Sequence, residues 1–527
     1  MEFVNPDALV SPEWLHEHLN APDVRVVDAT YYLPHNDQDA REEYGFRHIP
    51  GAVFFDIDEI CDSDSDLPHM LPSPEKFSSK VRKLGLGDGN RIVIYGNAGG
   101  GVTVDLGITD FQSIGGGQGF DALRDIEYLI GSDHNDTLKG SASDNVLKGG
   151  AGDDFLRGRE GIDTARYDDA LAGVSIDLAN KKYQVVSSDQ GSDRFSDIEN
   201  LLGSIFDDSL RGSDDGNVLD GGLGNDLIEG RGGHDLLDGG SGDDTLLGGQ
   251  GRDTYDGGSG IDTAVFEDAT RGVLVDLEIS GIQAIRGGLG SGAFIDIEQL
   301  VVSSFDDILT GSAGDNHLDG GDGNDTLNGG GGDDTLVGGE GDALLEGGEG
   351  DDLLVGGAGR DKLFGGSDTD TADYSAATSG LLIDLNDTGP QAVGGNLGND
   401  RLRDVEHLIG GNNNDILNGG GGNDILDGGA GDDTIDGDAG NDSAKGGFGD
   451  DVFVYRDGDG NDVLEDFGFG NDLIDLSALT DIVNFTDLID NHASNDGSGN
   501  LDIVYGTGSI RLLGVENADL SASDFIF

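Results

Sequence analysis

The chain has 527 residues, of which 105 are Asp or Glu and 29 are Lys or Arg, which gives a formal net charge of -76. Such a charge would repel phosphate backbones, so nucleic acid is excluded as a partner. The 95 glycines do not follow the strict three-residue period of collagen, and the single cysteine, Cys61, excludes an intrachain disulfide. Bound metal is therefore the obvious candidate for stabilising so acidic a chain.

Residues 1–95 have the composition of an ordinary globular segment. Short apolar runs at 24–28 and 91–95 predict buried strands. A serine followed by proline, at Ser11 and again at Ser73, predicts two helix starts. Strands that alternate with helices predict an α/β unit. The start of the chain has no basic residues ahead of an apolar core, so no cleavable signal peptide is predicted. No apolar run of about 18 residues predicts a transmembrane segment.

A nine-residue unit close to Gly-Gly-x-Gly-x-Asp-x-Leu-x dominates residues 96–451. Its copies fall in four runs, at 131–163, 203–262, 302–370 and 410–451. Each unit reads as six residues of glycine-rich turn and three of strand, whose central apolar residue points inward. Two units make a coil of about 18 residues, and coils stack as parallel strands about 4.8 Å apart. The predicted fold is mainly β, a parallel β-roll solenoid.

Connectors between the runs share a second motif. It opens with Gly-Val-x-Val/Ile-Asp-Leu and closes with Asp-Ile-Glu-x-Leu, always 24 residues later. The openings begin at Gly101, Gly173, Gly272 and Gly380, and the closings at Asp125, Asp197, Asp296 and Asp404. Successive openings are 72, 99 and 108 residues apart, all multiples of nine. This spacing is expected of one continuous solenoid, and it leaves open whether the connectors wind as extra coils.

Stacking coils would place the sixth-position carboxylates in file, with Asp226 over Asp244 and Asp235 over Asp253. Carboxylates at that spacing repel each other, and a divalent cation between them reverses the sign. Calcium accepts six to eight oxygen ligands with loose geometry, and it suits glycine-rich turns better than magnesium does. Zinc and copper prefer sulfur and imidazole, which the repeat pattern lacks. Multiple Ca²⁺ ions are the predicted cofactors. The alternatives are a disordered linker, which would not keep a periodic apolar residue, and a metal-free β-helix.

Of 24 units, 20 carry aspartate at the sixth position. These are the predicted metal ligands: Asp136, Asp154, Asp163, Asp208, Asp226, Asp235, Asp244, Asp253, Asp262, Asp307, Asp325, Asp334, Asp352, Asp361, Asp370, Asp415, Asp424, Asp433, Asp442 and Asp451. Asn145, Asn217 and Asn316 stand in the second unit of three runs, where an amide oxygen can ligate without charge. Ala343 has no ligand atom, so a weak or empty site is predicted there.

These repeats resemble the RTX proteins, a calcium-binding β-roll family that type I secretion systems export. The resemblance covers about residues 96–527 and implies that sixth-position aspartates and turn carbonyls bind calcium. It implies two partners, calcium ions and the type I secretion apparatus during export. Residues 452–527 resemble the family's C-terminal cap, and 524–527 its uncleaved export signal or else a final edge strand. The implied location is extracellular, with possible cell-surface or matrix association, and millimolar calcium outside the cell would drive folding.

The N-terminal segment resembles the rhodanese-like sulfurtransferases, especially the first domain of mercaptopyruvate sulfurtransferases. The resemblance is carried by the motifs at 9–15, 26–29 and 48–52. In that family a cysteine begins the loop after a strand such as 91–95, and that loop holds the persulfide. Here the strand runs into Gly-Asn-Ala-Gly-Gly, and the two-domain enzymes carry the cysteine in a second domain. Cys61 lies beside acids that raise the pKa of a thiol, so it is not predicted to be a nucleophile.

The sequence therefore predicts a secreted calcium-binding repeat protein with a structural, surface or adhesion role, and no catalytic residues. Its predicted domains are a truncated α/β rhodanese-like head at 1–95, the calcium roll at 96–451 and the cap with the export signal at 452–527. The alternative is a secreted sulfurtransferase, acting on thiosulfate or 3-mercaptopyruvate, whose head an RTX module exports. No Gly-x-Ser-x-Gly or His-Glu-x-x-His pattern occurs, so no hydrolase domain is predicted.

Overall fold

The computed structural model describes residues 27–28, 53–54, 100–116 and 119–527. The chain divides into two compact units, 1–206 and 207–527. In the N-terminal head, the described strands are Val27–Asp28 and Val53–Phe54, which pair in parallel. The other predictions for the head lie outside the described residues: the helix starts at Ser11 and Ser73, the strand at 91–95 and the environment of Cys61.

The first unit contains two stacks of parallel strands that face each other across apolar side chains. One stack runs through Thr103–Asp105, Thr137–Lys139, Phe155–Arg157 and Gly191–Ser196, with Gln184–Ser187 antiparallel at its edge. The other stack runs through Tyr128–Ile130, Val146–Lys148, Thr164–Arg166 and Asn200–Leu202. The remaining strands of this unit are the hairpin Gln112–Ser113 with Phe120–Asp121, and Ser175–Asp177. Within the run, every second unit stacks in register, which confirms the predicted coil of two units.

The second unit is built on one uninterrupted parallel sheet. Its strands are Ser209–Arg211, Leu227–Glu229, Thr245–Leu247, Thr263–Val265, Gln299–Val301, His317–Asp319, Thr335–Val337, Leu353–Val355, Thr371–Asp373, His407–Ile409, Ile425–Asp427, Ser443–Lys445 and Asn461–Leu464. Because every strand joins its neighbour in register, the sheet passes the connectors without a break.

Three shorter sheets succeed one another on the opposite side of the second unit. The first contains Val218–Leu223, Gly232–Gly233, Leu236–Ser241, Gln250–Ser259, Gly290–Ile295 and Gln283–Arg286. The second contains Leu274–Asp276, Ile308–Thr310, Thr326–Gly331, Leu344–Glu349, Lys362–Ser367, Asn399–Arg403 and Gln391–Ala392. The third contains Leu382–Asp384, Ile416–Gly420, Thr434–Asp438, Val452–Arg456, Leu473–Ala478 and Phe525–Ile526.

The core lies between the facing sheets and is filled by the central residue of each three-residue strand. Leu219, Ile228, Leu237 and Leu246, predicted to point inward, are all fully buried. Neighbouring residues on the same strands alternate outward, as side chains of a β-strand must. Burying one such leucine stabilises the fold by about 1.5–3 kcal/mol, so the apolar position of each unit holds the two sides of the roll together.

Each connector joins the roll at both of its ends. In the third connector, the opening strand Leu274–Asp276 pairs in parallel with Ile308–Thr310, at the start of the next run. The chain then makes an antiparallel hairpin, Gln283–Arg286 with Gly290–Ile295, and the second hairpin strand stacks on Gln250–Ser259. The third and fourth connectors therefore extend the stack on one edge and start a new sheet on the other, whereas the hairpin of the first connector forms a separate two-stranded sheet.

The C-terminal region adds two longer coils and then closes the roll. Val463 lies opposite Ser443, and Leu473 lies opposite Val452, so both steps are longer than two nine-residue units. The cap consists of the antiparallel strands Ala493–Asn495, Leu501–Tyr505 and Gly508–Leu512 and the short helical turns Phe485–Asp487, Leu488–His492, Asn517–Asp519 and Ala522–Asp524. The last strand, Phe525–Ile526, pairs with residues 474–475, so the expected final edge strand is present.

Candidate metal centre

All the predicted aspartate ligands are buried at the turns of the roll. None of the twenty is more than 4% exposed. The strands on either side of each turn fix its position, because the central apolar residue two positions later packs in the core. Burying so many carboxylates without lysine or arginine partners is costly, since an unpaired charge loses its hydration.

One oxygen of most of these carboxylates holds adjacent coils in register. The Asp208 N–H donates to Asp226 Oδ1 at 2.7 Å, and the Asp226 N–H donates to Asp244 Oδ1 at 2.7 Å. The Asp244 N–H continues the series to Asp262 at 2.8 Å. The predicted stacking of Asp226 over Asp244, and of Asp235 over Asp253, is thereby confirmed. A carboxylate ladder of this kind exists because equivalent turns recur once in every coil.

The second oxygen, Oδ2, makes no hydrogen bond in most of these turns. This is so for Asp154, Asp163, Asp226, Asp235, Asp244, Asp253, Asp262, Asp325, Asp334, Asp352, Asp361, Asp370, Asp424, Asp433 and Asp442. A buried acceptor without a partner costs about 1–3 kcal/mol, and more when it is charged. The same lack of a hydrogen-bond donor at so many predicted positions indicates that the partner is a cation rather than a group of the protein.

A glycine and a backbone carbonyl complete the cradle around Oδ2. A Cβ placed on Gly221 would lie 2.1 Å from Asp226 Oδ2 and 2.8 Å from the carbonyl oxygen of Gly239. Gly239 stands in the same relation to Asp244 Oδ2, at 2.3 Å, and to the carbonyl of Gly257, at 2.7 Å. Only glycine fits here, because carboxylate and carbonyl oxygens from two adjacent coils converge on its Cα. Two oxygens of different coils thus face one small space.

Burial raises the pKa of these carboxyl groups towards neutrality. The pKa of Asp226 is raised to about 7, first by burial and then by the charges of Asp208 and Asp244. The pKa of Asp154 is raised to about 8 by burial and by the neighbouring Asp193. Each raised pKa shows that the charged form of the carboxyl group is unfavourable in the turn when no counter-charge is present. A divalent cation supplies that counter-charge.

The first aspartate of three runs has a different environment. Asp136 accepts from the Val102 N–H at 2.6 Å, and its other oxygen accepts from the Ser132 N–H. Asp307 and Asp415 are bonded in the same way, to Val273 and Ser303 and to Leu381 and Gly411. Backbone donors therefore satisfy both oxygens, and these three predicted ligands attach the opening strand of a connector to the next run.

The positions without aspartate keep the ladder but change its charge. The Asn145 and Asn316 side chains accept the N–H of Ser141 and Ser312 through Oδ1, and their amide nitrogens donate to the carbonyls of Glu127 and Glu298. Both asparagine side chains are thus fully engaged by the protein. Ala343 is 2% exposed, and its N–H still donates to Asp361 Oδ1 at 2.8 Å. Its methyl group offers no oxygen, and the weak or empty site at this position stays a prediction.

Several acidic residues that the nine-residue pattern does not mark also belong to the ladder. Asp193 and Asp400 each accept the N–H of an aspartate that lies 39 residues earlier in the chain. Glu199, Glu298 and Glu406 each accept the N–H of an aspartate that lies 36 residues earlier. Asp462 and Asp472 take the same role in the longer last coils. For the glutamates the signal was available, because each stands in the Asp-Ile-Glu closing motif, or its Asp-Val-Glu variant, at a distance of two whole coils. The other four were missed because hairpins and longer turns break the period.

The oxygen-rich turns fit calcium. Within residues 100–116 and 119–527, no group of three or more His, Cys, Asp or Glu side chains is placed to hold a metal alone. An ion in these turns must therefore take backbone carbonyls together with a carboxylate, as the Gly221 cradle provides. Calcium accepts six to eight oxygens in flexible geometry, whereas zinc and copper prefer ligands that these turns lack. In the described part of the chain, no helix is long and apolar enough to span a bilayer.

Comparison with known proteins identifies the repeats. The family model of the RTX calcium-binding nonapeptide repeat matches residues 130–165, 195–228, 202–237, 229–264, 302–336, 337–372, 409–444 and 427–464. The chain thus carries RTX repeats in all four predicted runs, and RTX nonapeptide repeats bind multiple Ca²⁺ ions. A solved structure, the extracellular lipase LipA from Serratia marcescens, aligns with a TM-score of 0.16 at 19% identity, over 42% of this chain and 40% of that one, too weakly to support an inference.

The N-terminal region is similar to sulfurtransferases. It is 47% identical over 92 residues to 3-mercaptopyruvate sulfurtransferase from Homo sapiens, which is 17% of this chain and 31% of that protein. It is 42% identical over 87 residues to 3-mercaptopyruvate sulfurtransferase from Escherichia coli (strain K12), 16% of this chain and 31% of that protein. It is 40% identical over 93 residues to thiosulfate/3-mercaptopyruvate sulfurtransferase 1, mitochondrial, from Arabidopsis thaliana, 18% and 24% of the two chains. The chain spans less than a third of the length of these relatives.

Proposed function

We propose that this chain, which carries RTX calcium-binding repeats and an N-terminal region homologous to mercaptopyruvate sulfurtransferases, is a secreted protein whose β-roll folds on extracellular Ca²⁺. The roll, 96–451, is the calcium-loaded part, 452–527 is the cap with the export signal, and 1–95 is a truncated head. Its role is structural, at the cell surface or in an extracellular matrix. RTX proteins are typically secreted, which supports the proposed location.

The observation that carries this proposal is the row of buried, unpaired Oδ2 atoms. Several of them face a backbone carbonyl of the next coil across a glycine, as Asp226 and Gly239 do across Gly221. Without a cation the row opposes folding, because like charges crowd together in a dry turn. With a cation the same row attracts each coil to the next. Folding is therefore coupled to calcium, and many sites add their contributions by mass action.

A calcium titration of the full chain, followed by far-UV circular dichroism, tests the proposal. We expect conversion from coil to strand at roughly 10⁻⁴–10⁻³ M calcium, the range of extracellular calcium modules. Magnesium at equal ionic strength is the control and should convert little of the chain. A strand spectrum that is present in chelator at pH 8 and unchanged by calcium would contradict coupled folding.

Export is tested in cells that express a type I secretion apparatus for RTX proteins. The full chain should appear in the medium, and a variant that ends at residue 451 should stay inside the cell. Residues 524–527 are expected to be an export signal or a final edge strand, and a variant that lacks only these residues distinguishes the two. If it is exported normally and only its stability falls, these residues serve as an edge strand alone.

A second candidate function rests on the identity of up to 47% to sulfurtransferases in the head. In this alternative, the head transfers sulfane sulfur from thiosulfate or 3-mercaptopyruvate, and the RTX module exports it. Cys61 is the only cysteine of the chain. A cyanide-acceptor assay of the full chain and of the Cys61→Ser variant decides between the two. We expect no activity in either, whereas activity that the substitution removes would establish the alternative.

A further inference from the structure

The connectors supply a glutamate at the point where each of the first three runs ends. Asp262 ends the second run, and its N–H donates to Glu298 Oε2 at 2.9 Å, two coils further along the chain instead of one. The first run ends in the same way with Asp163 and Glu199, at 2.9 Å. The third run ends with Asp370, whose N–H donates to the glutamate at 406 at 3.2 Å. The connector glutamate therefore takes the place that the next aspartate takes inside a run.

The cradle of an ordinary turn is rebuilt beside each of these glutamates. A Cβ on Gly257 would lie 2.5 Å from Asp262 Oδ2 and 2.1 Å from the carbonyl oxygen of Asp296. Asp262 is fully buried, and its Oδ2 makes no hydrogen bond. Gly158 and Gly365 repeat this geometry with the corresponding residues of their own runs. The carbonyl that a glycine supplies inside a run is thus supplied here by the first residue of the closing motif.

That first residue adopts a backbone conformation that few residues other than glycine take. Asp197, Asp296 and Asp404 have φ values of 55°, 47° and 51°, in the left-handed region. Aspartate tolerates this region better than most residues do, although it remains unfavourable. The same unusual conformation recurs at the end of three runs. In each, the carbonyl of this residue and the free aspartate oxygen converge on one glycine.

Glu298 contacts the coils on both sides of it, and these contacts differ. In the next coil, the Asn316 amide nitrogen donates to the Glu298 carbonyl at 3.2 Å, and the Asn316 Oδ1 accepts from the Ser312 N–H. Both polar atoms of Asn316 thus bond to the protein, and its amide carries no charge. The Glu298 carboxylate instead bonds to the preceding coil, through the Asp262 N–H, and there Asp262 Oδ2 has no partner.

We propose that Glu199, Glu298 and Glu406 complete three further calcium sites, one at the closing of each connector after the first. Each site combines the glutamate with the free oxygen of the last aspartate of the run, at 163, 262 or 370, and the carbonyl of the left-handed aspartate. Two carboxylates and a carbonyl are hard oxygen ligands suited to calcium. The inference rests on the proposed calcium function. It makes the connectors parts of the calcium ladder rather than interruptions of it.

Native mass spectrometry of the calcium-loaded full chain counts the ions and tests the inference. Glu298→Gln and Glu406→Gln keep a hydrogen-bond acceptor for the aspartate N–H and remove the negative charge. At a calcium concentration that just saturates the wild type, each variant should hold one ion fewer and the double variant two fewer. Glu346→Gln is the matched control, since Glu346 is an exposed glutamate inside a run, and its ion count should not change.

The outcomes distinguish calcium binding by the roll as a whole from calcium binding at the connector sites. If the wild type binds no calcium, the proposed function fails. If the wild type binds calcium and both glutamine variants bind as many ions at every calcium concentration, only the connector sites fail. Circular dichroism at saturating calcium should show unchanged strand content in all variants. A glutamine variant that stayed unfolded there would also count against the inference, because one ion lost among many should leave the roll folded.

Discussion

The Tyr167 hydroxyl donates a hydrogen bond to Asp193 Oδ2 at 2.7 Å, and both side chains are fully buried. The other oxygen of Asp193 accepts from the Asp154 N–H at 2.9 Å. One tyrosine thus connects the core of the first unit to the end of a carboxylate ladder. Tyr374 and Asp400 repeat the pair in the second unit, at 3.3 Å.

In the third connector both members of this pair are replaced together. Phe266 stands where the tyrosine would be, and Gly292 stands where the aspartate would be, opposite Asp253 in the sheet. The space is filled by Tyr255, whose ring stacks on Phe294 with centroids 4.9 Å apart. The tyrosine and its aspartate acceptor are therefore replaced together in this connector, where Tyr255 brings a buried hydroxyl that has no hydrogen-bond partner.

Replacing this tyrosine should destabilise the first unit. Tyr167→Phe leaves a buried carboxylate oxygen without its donor, which costs about 1–3 kcal/mol. We expect a lower midpoint of thermal unfolding at fixed calcium, measured by circular dichroism. Tyr183→Phe is the control, because Tyr183 is 53% exposed and should change little. Equal midpoints for the two variants would show that the hydroxyl does not stabilise the connector.

Acidification should stabilise the calcium-free fold. Burial, followed by neighbouring charges, raises the pKa of Asp226 to about 7 and that of Asp154 to about 8, from an ordinary value of 3.8. Because the folded state holds these protons more tightly than the unfolded chain, the stabilisation is fully present below about pH 4 and is lost as the pH rises through 6 to 8. In chelator we expect strand content at pH 5 and its loss at pH 8, measured by circular dichroism.

In the presence of calcium, the fold should become less stable as the pH is lowered, because protons and calcium compete for the same oxygens. The apparent calcium affinity should fall as the pH is lowered from 8 to 5.5, and calcium binding near pH 7 should release protons. Isothermal titration calorimetry in two buffers with different ionisation enthalpies measures that release. Binding without proton release would mean that the raised pKa values do not describe the ligand carboxyl groups.

Restoring the missing aspartate should create a calcium site in the third run. Ala343 lies beside Gly338, where a Cβ on the glycine would be 2.9 Å from the alanine methyl and 2.6 Å from the carbonyl oxygen of Gly356. Ala343→Asp should therefore add one bound ion and raise the unfolding midpoint in calcium, while it lowers stability in chelator. Ala358→Asp, at an exposed turn position, adds the same charge and should add no ion.

Two glycines of one turn should respond differently to the same methyl group. A Cβ on Gly419 would lie 2.7 Å from Asp424 Oδ2, whereas a Cβ on Gly421 would meet nothing within 4 Å. Gly419→Ala should displace the carboxylate and cost about 1–3 kcal/mol, the usual penalty of overpacking. Gly421→Ala should be close to neutral. Chemical denaturation in calcium compares the two, and an equal loss in both variants would sink the idea of a cradle at the first glycine.

Much of the roll could be predicted because its period is local. Each glycine allows a tight turn, and each apolar residue at a fixed step needs the core, so Leu246 could be placed inside from the sequence alone. The same period placed Asp226 over Asp244. The separate use of the two carboxylate oxygens was not predictable, because it depends on which coil supplies the N–H and which supplies the carbonyl.

The sequence by itself determined the repeat, its two-unit coil, the inward apolar row and the identity of the acidic positions, since these follow from the composition and spacing of neighbouring residues. Only the tertiary structure decided which acidic side chains have the same hydrogen-bond partners. It tied Asp136 to Val102, left Asp226 with a free oxygen, and brought Glu298 beside Asp262. Hairpins and longer turns set those relations, because they insert extra chain between stacked positions, and only a stacked backbone shows which atoms then meet.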